Sequence, residues 1–514
     1  MKKLLRSMAL GIAALAPGLA GCSGDLHPSY SASVKYGLRT DPIMRPGQEK
    51  LLGDERYEPD RPGVFPVMKI ADMEDPQHPY HANIKKIDDK VLRDPGMIPQ
   101  KERQELEQAL EAMFGTPANP TVNAELAGIG ANIIADLKLD AETLKKGSTR
   151  YRIHCLHCHG VPGNGRGPTA RWINPHPRDF RQGLFKFQSV DQTQKSGLPP
   201  SRADLLRTLR HGIEGTAMPT FSLLEDHELE ALVSYVIHLS MRGSTEYTIM
   251  HGGFEFLREK NVLKWDADGD VKSNVKERAT AAAKRWHKSN SPASAIDVKK
   301  YPYDDNDVAV LTESVQRGQE LFTALPSPKT IKSLADRLVP ALRQNAKDAA
   351  LAPKIADAEK KKRDAAKKKD PKISDDDLEK IILSKEEHAA IQLTKEELAG
   401  IEKSVNKQAD ESALSKLKAG NCVSCHNNFG RQALYRFDQW GTLVRPNNLP
   451  LGQLRGGKRP VDVYYRIHSG INGSGMTPFG DAFRGNEQYI WDLVNFVTVL
   501  PYPAMRERLG IRIN

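Results

Sequence analysis

Two five-residue motifs hold the most reactive side chains of the sequence. In Cys155–His159 and in Cys422–His426, two cysteines three positions apart are followed directly by a histidine. This is the pattern of c-type haem attachment, because two thiols at this spacing reach both vinyl groups on one edge of the porphyrin and the histidine comes under the iron. We therefore predict two covalently bound haem c groups. Their thioethers would be formed by Cys155, Cys158, Cys422 and Cys425, with His159 and His426 as axial iron ligands.

A thioredoxin-like redox pair and half of a zinc site are the competing interpretations of each motif. The chain has five cysteines, and four of them lie in the two motifs. A zinc site needs more thiols than remain, and a redox disulfide has no need for the histidine that follows each pair. The haem interpretation accounts for all of these residues together.

A methionine loop follows each motif at a similar distance. Residues 212–221 and 470–479 share the pattern Gly-Ile-x-Gly-(Thr/Ser)-x-Met-x-x-Phe, so the sequence contains an internal repeat of one module. A methionine is ordinarily a gap-filling side chain of the core. The glycine-rich loop and its repetition instead favour Met218 and Met476 as the second axial ligands. Coordination by histidine and methionine raises the reduction potential and leaves no open position on the iron.

The N-terminal residues have the features of an exported lipoprotein. Basic residues among the first six are followed by a short apolar stretch at 8–20 and by Leu-Ala-Gly directly before Cys22. This predicts a secretory signal peptide at 1–21, too short to span a membrane. Its ending resembles the bacterial lipobox, which implies cleavage before Cys22 and diacylglycerol on the sulfur; an ordinary signal peptide before an unrelated cysteine is the alternative. We expect a bacterial membrane-anchored lipoprotein on the periplasmic or extracytoplasmic side.

Composition and charge indicate which class of partner the protein binds. The 514 residues carry a formal net charge of +10, with 39% hydrophobic residues and a mean hydropathy of −0.54. This excess of positive charge is too diffuse over so long a chain to indicate nucleic-acid binding. It favours encounter with an acidic protein or with anionic lipid. No segment after the signal peptide reaches the roughly 18 uninterrupted apolar residues of a membrane-spanning helix.

The module that carries each motif and methionine loop resembles class I cytochrome c. The resemblance implies an all-α fold in which a helix before the motif crosses a helix after the methionine loop. In that family the crossing commonly uses a glycine, followed four positions later by an aromatic residue. Gly147 and Tyr151 fit this pattern, with Tyr235 as the contact on the last helix. The family also implies a proline carbonyl that accepts the second N–H of the histidine ligand, and Pro168 is the candidate for His159.

The second module departs from this pattern in its spacing. Residues 312–324 resemble the first helix, and we predict that Gly318 and Phe322 pack against Phe496 of the last helix. The attachment motif, however, comes about a hundred residues after this helix rather than a few. The alternative is that the first helix lies at 411–418 and that 312–324 belongs to a linker.

The residues between this helix and its motif are strongly charged and contain capping-box starts of helices, so we predict a helical, solvent-exposed insertion. The whole chain is then predicted to be all-α, with two class I cytochrome c domains joined by a linker. The predicted divisions are a signal peptide at 1–21, an extended N-terminal arm at 22–135, the first domain at 136–242, a linker at 243–308, and the second domain at 309–505 with the insertion at about 326–410.

These features favour an electron relay over an enzyme in its own right. The lipobox, the paired modules and the long arm resemble cytochrome subunits of quinol-oxidising assemblies of the alternative complex III type and of terminal oxidases. We expect redox protein partners, either a soluble cytochrome or a membrane respiratory complex, a membrane contact through the lipid anchor, and no nucleic acid. A dihaem peroxidase-like enzyme is the alternative, and it would need one iron with an open sixth position. An interaction protein in which the haems are secondary to the charged insertion is a third class.

Overall fold

A computed structural model gives the structure of the chain and describes residues 29–40, 43–44, 92–93, 95–193, 197–257, 262–418, 420–434, 436–438 and 443–513. Cys22 and the predicted signal peptide at 1–21 lie outside the described residues. So does most of the predicted arm before residue 95. None of the helices in the described ranges combines the length and the apolar character needed to cross a bilayer.

Helix accounts for 58% of the structure and strand for 3%, so the predicted all-α fold class is confirmed. In chain order the helices are α1 (Gln100–Phe114), α2 (Ala124–Ala127), α3 (Ala131–Asp136), α4 (Ala141–His154), α5 (Leu156–His159), α6 (Arg202–His211), α7 (Asp226–Gly252), α8 (Val271–Ser289), α9 (Val308–Thr323), α10 (Pro328–Lys369), α11 (Asp375–Glu379), α12 (Lys385–Ala390), α13 (Lys395–Lys418), α14 (Pro460–Ser469), α15 (Gln488–Val499) and α16 (Pro503–Arg508).

The strands form three short antiparallel pairs, and short 3-10 turns complete the regular structure. The pairs are β1 (Ile43–Met44) with β2 (Leu92–Arg93), β3 (Phe254–Leu257) with β4 (Val262–Trp265), and β5 (Arg436–Phe437) with β6 (Leu443–Val444). The turns lie at Pro95–Met97, Ala170–Trp172, Pro292–Ser294, Cys422–Ser424, Asn427–Gly430 and Leu449–Leu451.

The chain divides into two compact units that are not continuous in sequence. The first unit consists of Met1–Val298, Ala433–Asn447 and Gln453–Pro478, and the second of Lys299–Gln432, Asn448–Gly452 and Phe479–Asn514. Helices α1 to α8 and α14 therefore belong to the first unit. Helices α9 to α13, α15 and α16 belong to the second.

A close helix crossing forms the centre of the first unit. A Cβ on Gly147 of α4 would collide with the carbonyl oxygen of Ala231 on α7 and would stand 2.8 Å from Cβ of Tyr235. The rings of Tyr151 and Tyr235 meet edge to face at 5.2 Å. Only glycine allows the two backbones to come so close. The predicted contact of Gly147 and Tyr151 with Tyr235 is therefore confirmed.

The end of the predicted arm and the predicted linker pack into the same core. The prediction of an extended arm is wrong for residues 100–135, because α1 and α3 are helices whose apolar faces are buried against the rest of the unit. Burying each such side chain contributes about 1.5–3 kcal/mol. From 243 onward, α7 continues without a break to Gly252, and α8 packs against it. The fully buried side chains of α1 are Leu106, Leu110, Met113 and Phe114.

The same crossing is present in the second unit. A Cβ on Gly318 of α9 would collide with the carbonyl oxygen of Asp492 on α15 and would stand 2.7 Å from Cβ of Phe496. The rings of Phe322 and Phe496 lie 5.3 Å apart. The prediction that Gly318 and Phe322 pack against Phe496 is confirmed. The alternative first helix at 411–418 is wrong, because these residues are the end of α13 and α13 packs on α10.

The insertion in the second unit is a long antiparallel hairpin of α10 and α13. Four ion pairs of the described residues join α10 to the returning chain, and their partner numbers fall as the α10 numbers rise, as an antiparallel arrangement requires. They are Arg343 with Glu402 at 2.6 Å, Lys354 with Glu397 at 2.6 Å, Lys362 with Glu387 at 2.5 Å and Lys367 with Asp375 at 3.8 Å. Most of its residues are exposed or half-buried. The hairpin runs to Lys418, so the predicted end at about 410 is too early.

Candidate haem-binding sites

The first attachment motif is a helical turn at the end of α4. The N–H groups of Cys158 and His159 both donate to the carbonyl of Cys155, at 3.1 and 2.9 Å. Residues three positions apart lie on the same face of such a turn. The turn ends at Gly160, whose φ of +72° is a left-handed conformation that glycine adopts without strain. The two thiols and the imidazole are therefore presented together by one turn of backbone.

The imidazole of His159 is held by a backbone carbonyl. Its Nδ1 lies 3.0 Å from the carbonyl oxygen of Arg178, which leaves Nε2 as the nitrogen for a metal ion. The ring is buried and stacks on Phe180 at 4.7 Å. Burial lowers the pKa of His159 to about 4, so the neutral imidazole that metal ligation needs is the stable form.

The prediction that Pro168 accepts this hydrogen bond is wrong. The backbone on either side of Pro168 is bonded to the motif itself, since Gly167 N–H donates to Cys158 O at 3.0 Å and Thr169 N–H donates to His157 O at 2.9 Å. Arg178 reaches the ring because the chain folds back. Phe180 N–H donates to Gly163 O at 2.7 Å and brings this segment beside His159.

The first cysteine of each motif does not have the character of a reactive thiol. Burial raises the pKa of Cys155 to about 12 and that of Cys422 to about 12. A cysteine in a redox pair is active as a thiolate and has a lowered pKa. These environments therefore do not fit the thioredoxin-like alternative.

The two methionine loops share two internal backbone hydrogen bonds. Ile213 N–H donates to Met218 O at 3.1 Å, and Ile471 N–H donates to Met476 O at 3.0 Å. The second bond lies inside each loop: Thr216 N–H donates to Ile213 O at 3.2 Å, and Ser474 N–H donates to Ile471 O at 3.1 Å. Both methionines are half-buried, and Met218 packs against the core cluster that contains Cys155.

The helices that carry the loops also match. Helices α6 and α14 have ten residues each and are followed by Gly212 and Gly470, with φ of +64° and +69°. In each helix a buried aspartate in the first turn accepts a hydrogen bond from the N–H group before the helix. Ser201 donates to Asp204 at 3.1 Å, and Arg459 donates to Asp462 at 3.2 Å. The internal repeat read from the sequence is thus a repeat of local structure.

The second attachment motif has the same backbone bonds as the first. Cys425 N–H and His426 N–H donate to the carbonyl of Cys422 at 3.2 and 2.8 Å. His426 is half-buried, and its ring lies 6.2 Å from that of Phe322 on α9. Gly420, just before the motif, lies 2.8 Å (measured from a Cβ built on it) from the carbonyl of Leu321. The hairpin therefore returns the chain to the end of the helix that it left, and the motif follows there as it follows α4.

The first donor set, which lies within one unit, fits a haem c group. A pair of thiols on one turn can form thioethers, the imidazole can bind one side of the iron, and a methionine thioether is the ligand type of a high-potential sixth position. Cys422, Cys425 and His426 belong to the second unit, and Met476 belongs to the first. These ligands and thioethers stay predictions from the sequence. The carbonyl of Arg178 and the ring of Phe180 were missed, and no local sequence signal marks either of them.

Comparison with known proteins gives a partial match. A family model described as cytochrome c oxidase, cbb3-type, subunit III matches residues 142–236, which include the first motif and the first methionine loop. The chain therefore contains a cytochrome c domain. Such a domain carries covalently bound haem c and transfers electrons.

No curated protein matches the chain. Among solved structures, the chain is similar to one from the Kuenenia stuttgartiensis reducing HAO-like protein complex Kustc0457/Kustc0458, at 16% sequence identity. The similarity covers 69% of this chain and 96% of that chain, with a TM-score of 0.35.

Proposed function

We propose that the protein is a dihaem cytochrome c, anchored to a bacterial membrane by lipid on Cys22, that relays electrons in a respiratory chain. One observation supports the presence of the second haem. The backbone bonds of the Cys422–His426 turn and of the Met476 loop repeat those of the Cys155–His159 turn and of the Met218 loop. Because the first set lies in a cytochrome c domain, a second set with the same local structure supports a second haem c.

The ligand types support a relay rather than an oxygen or peroxide enzyme. An iron held by histidine and methionine has no open position for a substrate oxygen, so it gains and loses electrons without binding a substrate. The methionine loop is closed in both copies by the hydrogen bond between its ends. A dihaem peroxidase would need one of these methionines to be absent or displaced.

The partner and the location rest on the sequence. The lipobox before Cys22 supports a lipid anchor on the periplasmic or extracytoplasmic side. The net charge of +10 falls by the three basic residues of the signal peptide, 10 − 3 = +7, and this remaining excess supports an acidic partner surface. A subunit or partner of a quinol-oxidising complex or of a terminal oxidase fits these features, and a soluble cytochrome is the other redox partner that we expect.

Haem counting tests the proposal. Intact-mass spectrometry of the denatured wild-type protein should give two haems, because thioether bonds survive denaturation. The double variants Cys155→Ala/Cys158→Ala and Cys422→Ala/Cys425→Ala should each give one. One haem in the wild type would leave a monohaem cytochrome and reject the dihaem proposal. Peroxide turnover at enzymatic rates, roughly 1–1000 per second, would favour the peroxidase instead.

A further inference from the structure

A buried carboxylate from the 433–447 segment lies beside the residue that orients the first histidine. Asp438 is 1% exposed. Its Oδ2 lies 2.9 Å from Nζ of Lys186 and 3.8 Å from Nη2 of Arg178. All three residues belong to the first unit, and Asp438 stands 252 positions after Lys186 in the chain. It follows the second attachment motif in sequence, yet it contacts residues that follow the first.

Arg178 connects this carboxylate to His159. Its guanidinium faces Asp438, and its backbone carbonyl lies 3.0 Å from Nδ1 of His159. Any shift of the Arg178 side chain therefore acts on the same residue whose carbonyl sets the orientation of the imidazole. A partner that orients a metal-ligating histidine also sets its strength as a ligand.

The charged groups of Arg178, Lys186 and Asp438 lose most of their hydration on burial, so the two cations and the carboxylate depend on each other for stabilisation. The side chains of Arg178, Lys186 and Asp438 are 19%, 16% and 0% exposed. Burial and the nearby Arg178 charge together lower the pKa of Lys186 to about 8, while Asp438 opposes this shift. Charges interact far more strongly here than in water, because the interior screens them less. Removing one member of such a group leaves an uncompensated buried charge.

We propose that Asp438 is a positioning residue for the first haem. It fixes Arg178, whose carbonyl orients His159, and its negative charge favours the ferric over the ferrous state of the iron that His159 binds. The inference rests on the proposed role of His159 as an iron ligand. It means that the segment after the second motif tunes the haem of the first.

The test is a redox titration of the intact protein with charge-changing variants. Asp438→Asn removes a negative charge and should raise the potential of the first haem, with a ferrous-to-ferric ratio at least about threefold higher at a fixed potential, or ~30 mV. Asp438→Glu should keep the wild-type ratio. Lys186→Gln removes a positive charge and should move the ratio in the opposite direction. The haem whose potential moves in Met218→His identifies the first haem.

Glu246→Gln is the matched control, because Glu246 is also a buried acid of the first unit and pairs with Arg242 at 3.0 Å on its own helix. It should lower the melting temperature without moving the potential of the first haem. Unchanged potentials in Asp438→Asn, or shifts of the same sign in Asp438→Asn and Lys186→Gln, overturn the inference. If Asp438→Asn does not fold, the inference is tested by Lys186→Gln alone: a lower potential of the first haem supports it, and an unchanged or higher potential overturns it. A wild-type protein with fewer than two haems, or without histidine ligation in its electron paramagnetic resonance spectrum, overturns the proposed function instead.

Discussion

Gly318 packs directly on the backbone carbonyl of Asp492 where α9 crosses α15. The equivalent pair in the first unit is Gly147 with the carbonyl of Ala231. In both crossings an aromatic residue four positions after the glycine meets an aromatic residue four positions after the carbonyl. The second unit therefore has the helix crossing of the first, although a hairpin separates its first helix from its attachment motif.

A side chain at this crossing should destabilise the second unit. We expect Gly318→Val to lower the free energy of unfolding by about 1–3 kcal/mol, because the added atoms must push α9 away from the backbone of α15. The control is Gly400→Ala in α13, where a Cβ meets nothing within 4 Å. This change should be neutral or stabilising by about 0.5–1 kcal/mol, since alanine favours the helix interior. Denaturant unfolding followed by circular dichroism measures the free energy of unfolding of both variants. Equal changes in the two variants would contradict the close crossing at Gly318.

Changing the methionines should shift one haem at a time. We expect Met218→His and Met476→His each to lower the potential of a single haem by on the order of 0.2 V, within the roughly 0.8 V range that axial ligands set. Haem attachment should be unchanged, because the thioethers do not involve the methionine. Met505→His is the control, since Met505 is 46% exposed on α16. Spectroelectrochemical titration gives the potentials, and a Met476→His protein with two unshifted haems would remove Met476 from the ligand set.

Replacing Cys22 should release the protein from the membrane. We expect Cys22→Ser to carry no acyl chains and to lose the membrane binding that they supply, because the sulfur that accepts the diacylglycerol is gone. Detergent phase partitioning and the intact mass of the N-terminal peptide measure the result. A Cys22→Ser protein that partitions like the wild type would show that another anchor exists.

The aspartate at the start of α14 should make the first unit sensitive to acid. Burial would raise the pKa of Asp462, but its bonds to Arg459 and the charge of Arg207 outweigh burial, and the pKa lies below the ordinary 3.8. A lowered pKa in the folded state means that the carboxylate stabilises the fold at pH above 3.8 and that this contribution is lost as the pH falls through the folded pKa.

The Asp462→Asn variant should therefore be less stable at neutral pH by about 1–2 kcal/mol, and its stability should fall less than that of the wild type below pH 4. Asp376→Asn is the matched control, because Asp376 also lies in the first turn of a helix but is exposed. It should leave both the stability and its pH dependence close to those of the wild type. Melting temperatures between pH 3 and pH 7 measure the difference. Parallel pH profiles for Asp462→Asn and the wild type would contradict the assignment.

The sequence by itself predicted the haem chemistry and determined the helix crossings. The thiols and the imidazole of each site lie within five residues, and each methionine lies in a loop of ten residues with a glycine at its start. Such short segments fold through local hydrogen bonds, so their spacing already predicts their geometry. Glycine followed by an aromatic residue one helical turn later marks a crossing for the same reason, because the helix repeat puts both on one face.

Only the tertiary structure decided what surrounds these segments. Every residue has a carbonyl, so the sequence does not say which one meets Nδ1 of His159; the fold of the chain at Gly163 and Phe180 selects Arg178 rather than Pro168. The partner of Lys186 is likewise chosen by packing, because Asp438 comes from a distant part of the chain. Contacts between segments far apart in sequence depend on how whole helices pack, and no local pattern of residue types contains that information.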